Sequence, residues 1–320
     1  MRSTSVFEFP EEQEAQYRKA RRLEWASVVY LASTALFIYL TMGSSQAMKT
    51  SFFEDLISLV PSLAFLVTTR LARRNPGPEY PYGHHGAVSI GFLVAALALV
   101  SMGSILLIEA VLKLVAGERP TLGGMTIFGH TVWAGWPMFA ALAYAGVPSI
   151  FFGRAKLKLA PKFHDKTLFA SSKMMKADWM TAGATAVGVL GMGLGYWWTD
   201  AVAAGLVSLD ILHDGCTMIG ASITDLMERR PEKTDGSGPE DLPEEVRRYL
   251  EGLDWVGTAE VRMREQGHIF FGEAFVTLRG AVSEDLPEKL ERAVEGAKQL
   301  NWRLHDLVIM PVTRESMVEG

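Results

Sequence analysis

The chain has 320 residues, 49% of them hydrophobic, with 30 glycines, a mean hydropathy of +0.15 and a formal net charge of −5. That balance is high for a soluble protein and ordinary for a helical membrane protein. The one cysteine, Cys216, excludes an internal disulfide; no Cys/His cluster has structural-zinc spacing, and no nucleophile–base set or phosphate loop points to an enzyme.

Charge is unevenly spread, about +3 over residues 1–230 and about −8 over 231–320. An acidic tail argues against a nucleic-acid partner and against docking on an anionic membrane surface. Residues 1–24 are mixed in charge, end in Arg18, Lys19, Arg21 and Arg22, and lack the apolar core of a signal peptide. The first apolar span is therefore expected to act as its own insertion signal. Spans follow at 25–42, 46–71, 87–116, 131–152, 177–198 and 200–226, each near or above the length that crosses a bilayer. Basic residues collect on the cytoplasmic side of membrane proteins. Here they lie before span one, after span two (Arg70, Arg73, Arg74), before span five (Arg154, Lys156, Lys158, Lys162, Lys166) and after span six (Arg229, Arg230, Lys233). The intervening loops hold few, Arg119 among them. The pattern predicts six spans in a cell membrane with both termini in the cytoplasm.

Span two carries Lys49, Glu54 and Asp55 in an otherwise apolar stretch. A carboxylate at bilayer depth costs at least about 2.5–3.5 kcal/mol, so it is kept only where it faces a protein interior or a watery path. Glu54 and Ser58 share one helix face; Ser51 and Asp55 share the next, and Pro61 can kink the helix a turn later. In span three, Glu109 and Lys113 are spaced as a structural ion pair. Span five is expected to extend inward as helix from about Lys166. Its recurrent glycines (Gly183, Gly188, Gly191, Gly193, Gly195) suit close helix packing in the bundle interior. On span six, Asp210, His213, Asp214 and Thr217 fall on one face. That face reads either as ion pairing with a lysine such as Lys49, or as a proton relay or auxiliary ligand set to which Asp55 would add.

From Pro231 the composition changes. Residues 231–242 are a Pro/Gly/acid linker, and 243–320 form a cytosolic domain with helix 244–250, strands 255–264 and 268–278 about a Gln266-Gly267 turn, helix 284–300 and strand 304–312. The α-β-β-α-β order suits a small sheet with helices on one face.

The six spans, the GSSQA entry to span two, the PYGHHGA loop (81–87), the ADWMTAGA entry to span five (177–184) and the αββαβ tail together resemble the cation diffusion facilitator family over about residues 20–312. The resemblance implies an all-α six-helix transmembrane bundle followed by a small α+β, ferredoxin-like cytosolic domain. It implies a homodimer that exports divalent metal from the cytosol against protons. Its central site pairs an i, i+4 set on span two with one on span five, here Glu54 with Ser58 and Met174 with Asp178. Relatives have a carboxylate or histidine at all four places; Ser58 offers a hydroxyl and Met174 a thioether, and Met174 reads also, with Met175 and Met180, as a packing residue. Two carboxylates neutralise a divalent cation, and hard oxygen donors favour Mn²⁺, Fe²⁺, Co²⁺ or Mg²⁺ over a histidine-rich zinc site.

Counted from the outer helix ends, Glu54 falls roughly 12 Å deep and Asp178 roughly 30 Å deep. Their meeting rests on the resemblance, and Asp178 reads also as a membrane-edge residue beside Lys176. His84 and His85 lie in the loop where relatives can hold a second metal, although a surface loop histidine more often has no such role. His268, with His305, Glu265 and Asp306, is either a loose regulatory metal set or solvated. The competing class is a non-transporting partner or metal-sensing subunit whose central site has lapsed.

Overall fold

A computed structural model describes residues 8–41, 46–117, 124–127, 130–133, 135–280 and 284–313. Arg119 and the start of the GSSQA segment lie outside these residues, as do the side chains of Lys49 and Ser51. Six long helices form the bundle: α1 (Glu11–Thr41), α2 (Gln46–Ala72), α3 (Gly86–Ala116), α4 (Gly135–Leu159), α5 (Lys166–Gly193) and α6 (Thr199–Leu226). Among the described residues, five of them, all but α5, are long and apolar enough to cross a membrane. Lys173, Lys176, Asp178 and a run of serine, threonine and glycine dilute the hydropathy of α5. Instead α5 packs against α2, α3, α4 and α6, and a helix lined by other helices does not have to be apolar all round.

Three boundaries differ from the expected ones. Helix α1 starts at Glu11, because EEQEAQYRKARR is rich in helix formers and places Glu11, Glu12 and Glu14 on the helix's positive end. Residues 131–133 belong to a strand: β1 (Gly124–Ile127) pairs antiparallel with β2 (His130–Trp133), and α4 begins only at Gly135. Helix α5 ends at Gly193, five residues before Trp198, and Gly195 turns the chain at φ +92°, where a side chain would be strained. Its start is as expected. Asp165 caps it by accepting a 2.7 Å bond from the Leu168 amide.

The tail contains α7 (Leu242–Glu251), β3 (Val256–Gln266), β4 (Ile269–Leu278), α8 (Leu286–Leu300) and β5 (Leu304–Pro311). Strand β4 is central, antiparallel to β3 and parallel to β5. Strand alternation turns Ala259 and Met263 of β3 and Phe270, Ala274 and Val276 of β4 towards Leu242, Val246 and Leu250 of α7 and Ala293 and Ala297 of α8. The same alternation places Glu265 at the end of the β3 core face, opposite Phe270.

There the tail meets the membrane bundle. Glu265 Oε2 accepts from Lys166 Nζ at 2.9 Å, and Lys166 also donates to Asp225 at 2.7 Å, joining β3 to the start of α5 and the end of α6. His164 Nε2 lies 3.2 Å from Glu265 Oε1. Burial alone would raise the Glu265 carboxyl; the His164 ring and the Lys166 ammonium outweigh it and hold the group below its ordinary range. At the β3–β4 turn Gly267 (φ +65°) lies so close to α3 that a Cβ would stand 2.7 Å from the His85 carbonyl.

His268 packs its ring on Phe9 (5.3 Å) and Phe163 (5.9 Å), and burial pushes its imidazole down to about 3. An unfolded chain takes that proton near pH 6.5, so the stability His268 contributes is full above pH 6.5 and is lost as pH falls towards 3. Asp165, raised to about 7 by burial, acts in the opposite sense between its unfolded value of 3.8 and 7. His268→Phe fits the aromatic cluster and should flatten the decline in thermal midpoint below pH 6.5. An unchanged pH slope in that variant would show that some other group sets the acid limit.

Candidate metal centre

Helices α2 and α5 are held together by two polar rungs. Ser58 Oγ donates to Asp178 Oδ1 at 2.8 Å, and Ser62 Oγ lies 3.2 Å from Ser171 Oγ. On α2 these serines continue the face of Glu54 at four-residue steps. The earlier end of α5 narrows the mismatch in depth: Asp178 falls roughly 22 Å from the C-terminal end of α5, against roughly 18 Å for Ser58 and roughly 12 Å for Glu54 from the N-terminal end of α2. Glu54, Asp55 and Asp178 lie within electrostatic reach of one another. Each keeps a carboxylate oxygen, Glu54 Oε1, Asp55 Oδ2 and Asp178 Oδ2, buried without a hydrogen-bond partner among the described residues. Buried acceptors left unpaired are costly, and a cation at this place would satisfy them.

The fourth expected ligand is differently placed. Met174 is fully buried in an apolar cluster with Phe92, Ala95, Leu99 and Met102 of α3 and Ile211 of α6. Its sulfur is a soft and weak donor beside hard oxygens. No group of three or more His, Cys, Asp or Glu side chains among the described residues is arranged to hold a metal. A cation here would therefore rely on Glu54, Asp178 and the Ser58 hydroxyl, with backbone oxygen or water completing its shell.

The polar face of α6 meets lysines of α5. Lys176 lies 2.7 Å from Asp210 and 3.1 Å from Asp214, and Lys173 lies 3.0 Å from Asp214. Among the described residues, the lysines that face these carboxylates are on α5; the side chain of Lys49 lies outside them. Their pairing fits α5 running beside α6, with cations at one-turn spacing opposite anions at one-turn spacing. His213 and Thr217 are exposed on the bundle surface. Lys113 pairs with Asp200 of α6 at 3.5 Å, and its expected partner Glu109 is an electrostatic neighbour of Glu54.

Among the described residues the remaining histidines form no group of three or more that could hold a metal. His84 stacks on Tyr80 at 4.4 Å, whereas His85 faces His305 of β5 at 5.6 Å. His268 sits beside Asp165, Glu265 beside Lys166, and Asp306 beside Lys298 at 3.7 Å. Sequence reasoning missed His164, a residue with positive φ (51°) that touches Glu240, Glu265 and Arg303. It also missed the Lys156–Glu24 pair. A lysine in a basic loop carries no sign in one dimension that it will fold inward.

The Cation efflux transmembrane domain model matches residues 25–227. The chain belongs to the cation efflux, or cation diffusion facilitator, family. Two relatives come from Bacillus subtilis (strain 168). An uncharacterized transporter, YdbO, is 25% identical over 193 residues, 60% of this chain and 62% of that one. A manganese efflux system protein, MneS, is 23% identical over 201 residues, 61% of this chain and 64% of that one. The chain thus spans somewhat less than two thirds of either relative's length. The family match runs from residue 25, within α1, to the end of α6, and includes all of α5.

Proposed function

We propose that this member of the cation efflux family is a secondary transporter that exports a divalent metal cation from the cytosol in exchange for protons. The observation that carries the reading is the Ser58–Asp178 bond, which joins α2 to α5 one turn from Glu54 and leaves buried carboxylate oxygens at a place where family members bind metal. A carboxylate pair that holds either one M²⁺ or protons exchanges the two by competition, provided it is exposed alternately to the two sides. Oxygen donors without a histidine suit Mn²⁺, and MneS is named for manganese efflux; Fe²⁺, Co²⁺, Mg²⁺ and Zn²⁺ are the competing cargoes. The working form is a homodimer of six-span protomers whose ferredoxin-like tails pair in the cytosol. Both termini are cytosolic, because the basic loops all fall on one side.

The test is metal uptake into proteoliposomes, with and without a pH gradient, across a panel of divalent ions. Uptake should require a divalent ion and rise with an opposed proton gradient. A purified protein that neither binds nor moves any of them would establish the lapsed, partner-subunit reading. Topology is checked separately. A reporter fused after Gly320 should be cytosolic and one near Glu118 external, and finding both on one side would remove the six-span arrangement.

A further inference from the structure

Between the rungs that join α2 to α5 and the cytosolic loops lies a cation with no solvent exposure. Lys156 of α4 is 0% exposed, as is Glu24 of α1, whose Oε2 lies 3.0 Å from its Nζ. The same ammonium donates to Ser171 of α5 at 2.9 Å and to Ser62 of α2 at 3.3 Å. One group thus ties together four helices. Apolar side chains would fill such a place at lower cost, since a buried ion pair rarely gains back its desolvation. The ammonium also has a defined position relative to the metal centre. Ser62 lies one turn beyond Ser58 along α2, and Ser171 two turns before Asp178 along α5. Asp178 is close enough to act on the Lys156 charge.

We infer that Lys156 is the cytosolic latch of the transport path. The inference rests on the transport reading above for its direction, and on the geometry for the latch itself. With its donors on Ser62 and Ser171, the ammonium closes α2 against α5 directly below the Glu54–Asp178 site. It also presents a like charge to any cation approaching from the cytosol. Loading from that side requires Lys156 to leave the two serines, which Glu24 makes possible by keeping hold of the ammonium on α1. Lys156 is in this sense a positioning residue that acts through the spacing of α2 and α5.

The experiment uses the full-length protein in oriented membrane vesicles with Cys216→Ser, so that Ser58→Cys carries the only thiol. A small cationic thiol reagent is applied from the cytosolic side, in the absence of metal. Lys156→Met should raise the labelling rate of that cysteine by tenfold or more, Lys156→Arg should keep it near the parent rate, and labelling from the external side should not change. A folded Lys156→Met protein labelled at the parent rate overturns the latch. If Lys156→Met does not fold, the decision passes to the pair Ser62→Cys/Ser171→Cys in the Cys216→Ser background, with Lys156 in place. A disulfide there should stop metal uptake, and reductant should restore it; a cross-linked protein that still transports overturns the latch. Because labelling needs no transported ion, a protein that moves no metal yet opens in Lys156→Met would fail the transport reading and keep the latch.

Discussion

Replacing Glu54 with Gln, or Asp178 with Asn, should each abolish most divalent-metal binding, by about 100-fold or more in affinity, since a buried charge that loses its partner costs about 3–5 kcal/mol. Either amide keeps the shape of the native residue but removes one of the two charges assigned to the cation, leaving less to offset the dehydration of M²⁺. Ser58→Asp should act in the opposite direction and with a distinctive signature. In the native protein the Ser58 hydroxyl donates to Asp178 at 2.8 Å. An aspartate there exchanges that donor for a second carboxylate, so the metal-free protein should become less stable through like-charge repulsion. A divalent ion should then restore it, with a larger metal-induced rise in thermal midpoint than wild type shows. Isothermal titration and metal-dependent unfolding of the four proteins measure this. If wild type binds no metal while Ser58→Asp does, the site has lapsed. If both amide variants bind like an active wild type, the cation is held elsewhere.

The second large effect is on stability, at the hairpin of α5 and α6. A Cβ at Gly188 would stand 2.6 Å from the Asp200 Cα, and one at Gly191 within 2.6 Å of the Thr199 side chain. Asp200 backbone cannot rotate away, so Gly188→Val must separate the helices and loosen the Lys113–Asp200 pair, 3.5 Å apart in the native chain. Overpacking of this kind costs typically about 1–3 kcal/mol and occasionally more; with backbone as the obstacle, the upper end or loss of folded protein is expected. Gly183 is the control. Nothing lies within 4 Å of the Cβ that would be added there, so Gly183→Ala should be neutral or stabilising by up to about 1 kcal/mol through helix propensity. Thermal unfolding in detergent compares the two. Equal midpoints for Gly188→Val and Gly183→Ala would show that α5 and α6 are not in the close contact described.

Sequence alone determined the elements whose signal is local. Long apolar runs mark α1 to α4 and α6, since a bilayer-spanning helix must bury about 20 residues without water. Period-two alternation about Gln266-Gly267 marks the β3–β4 hairpin, because strand faces alternate strictly. Helical spacing placed Glu54 with Ser58 and Asp210 with Asp214 on common faces, again a property of one helix. The tertiary structure alone decided which faces meet. It brought Asp178 to Ser58 once α5 ended at Gly193, and it placed Met174 in the apolar core. It turned the α6 carboxylates towards Lys173 and Lys176, and it folded Lys156 inward onto Glu24. The glycines of α5 show the division within one element: their recurrence signals close packing, but only the position of Asp200 and Thr199 separates Gly188 and Gly191 from Gly183. Ion pairs and ligand sets join residues far apart in the chain, and their free energy depends on distance and burial, which no one-dimensional pattern records.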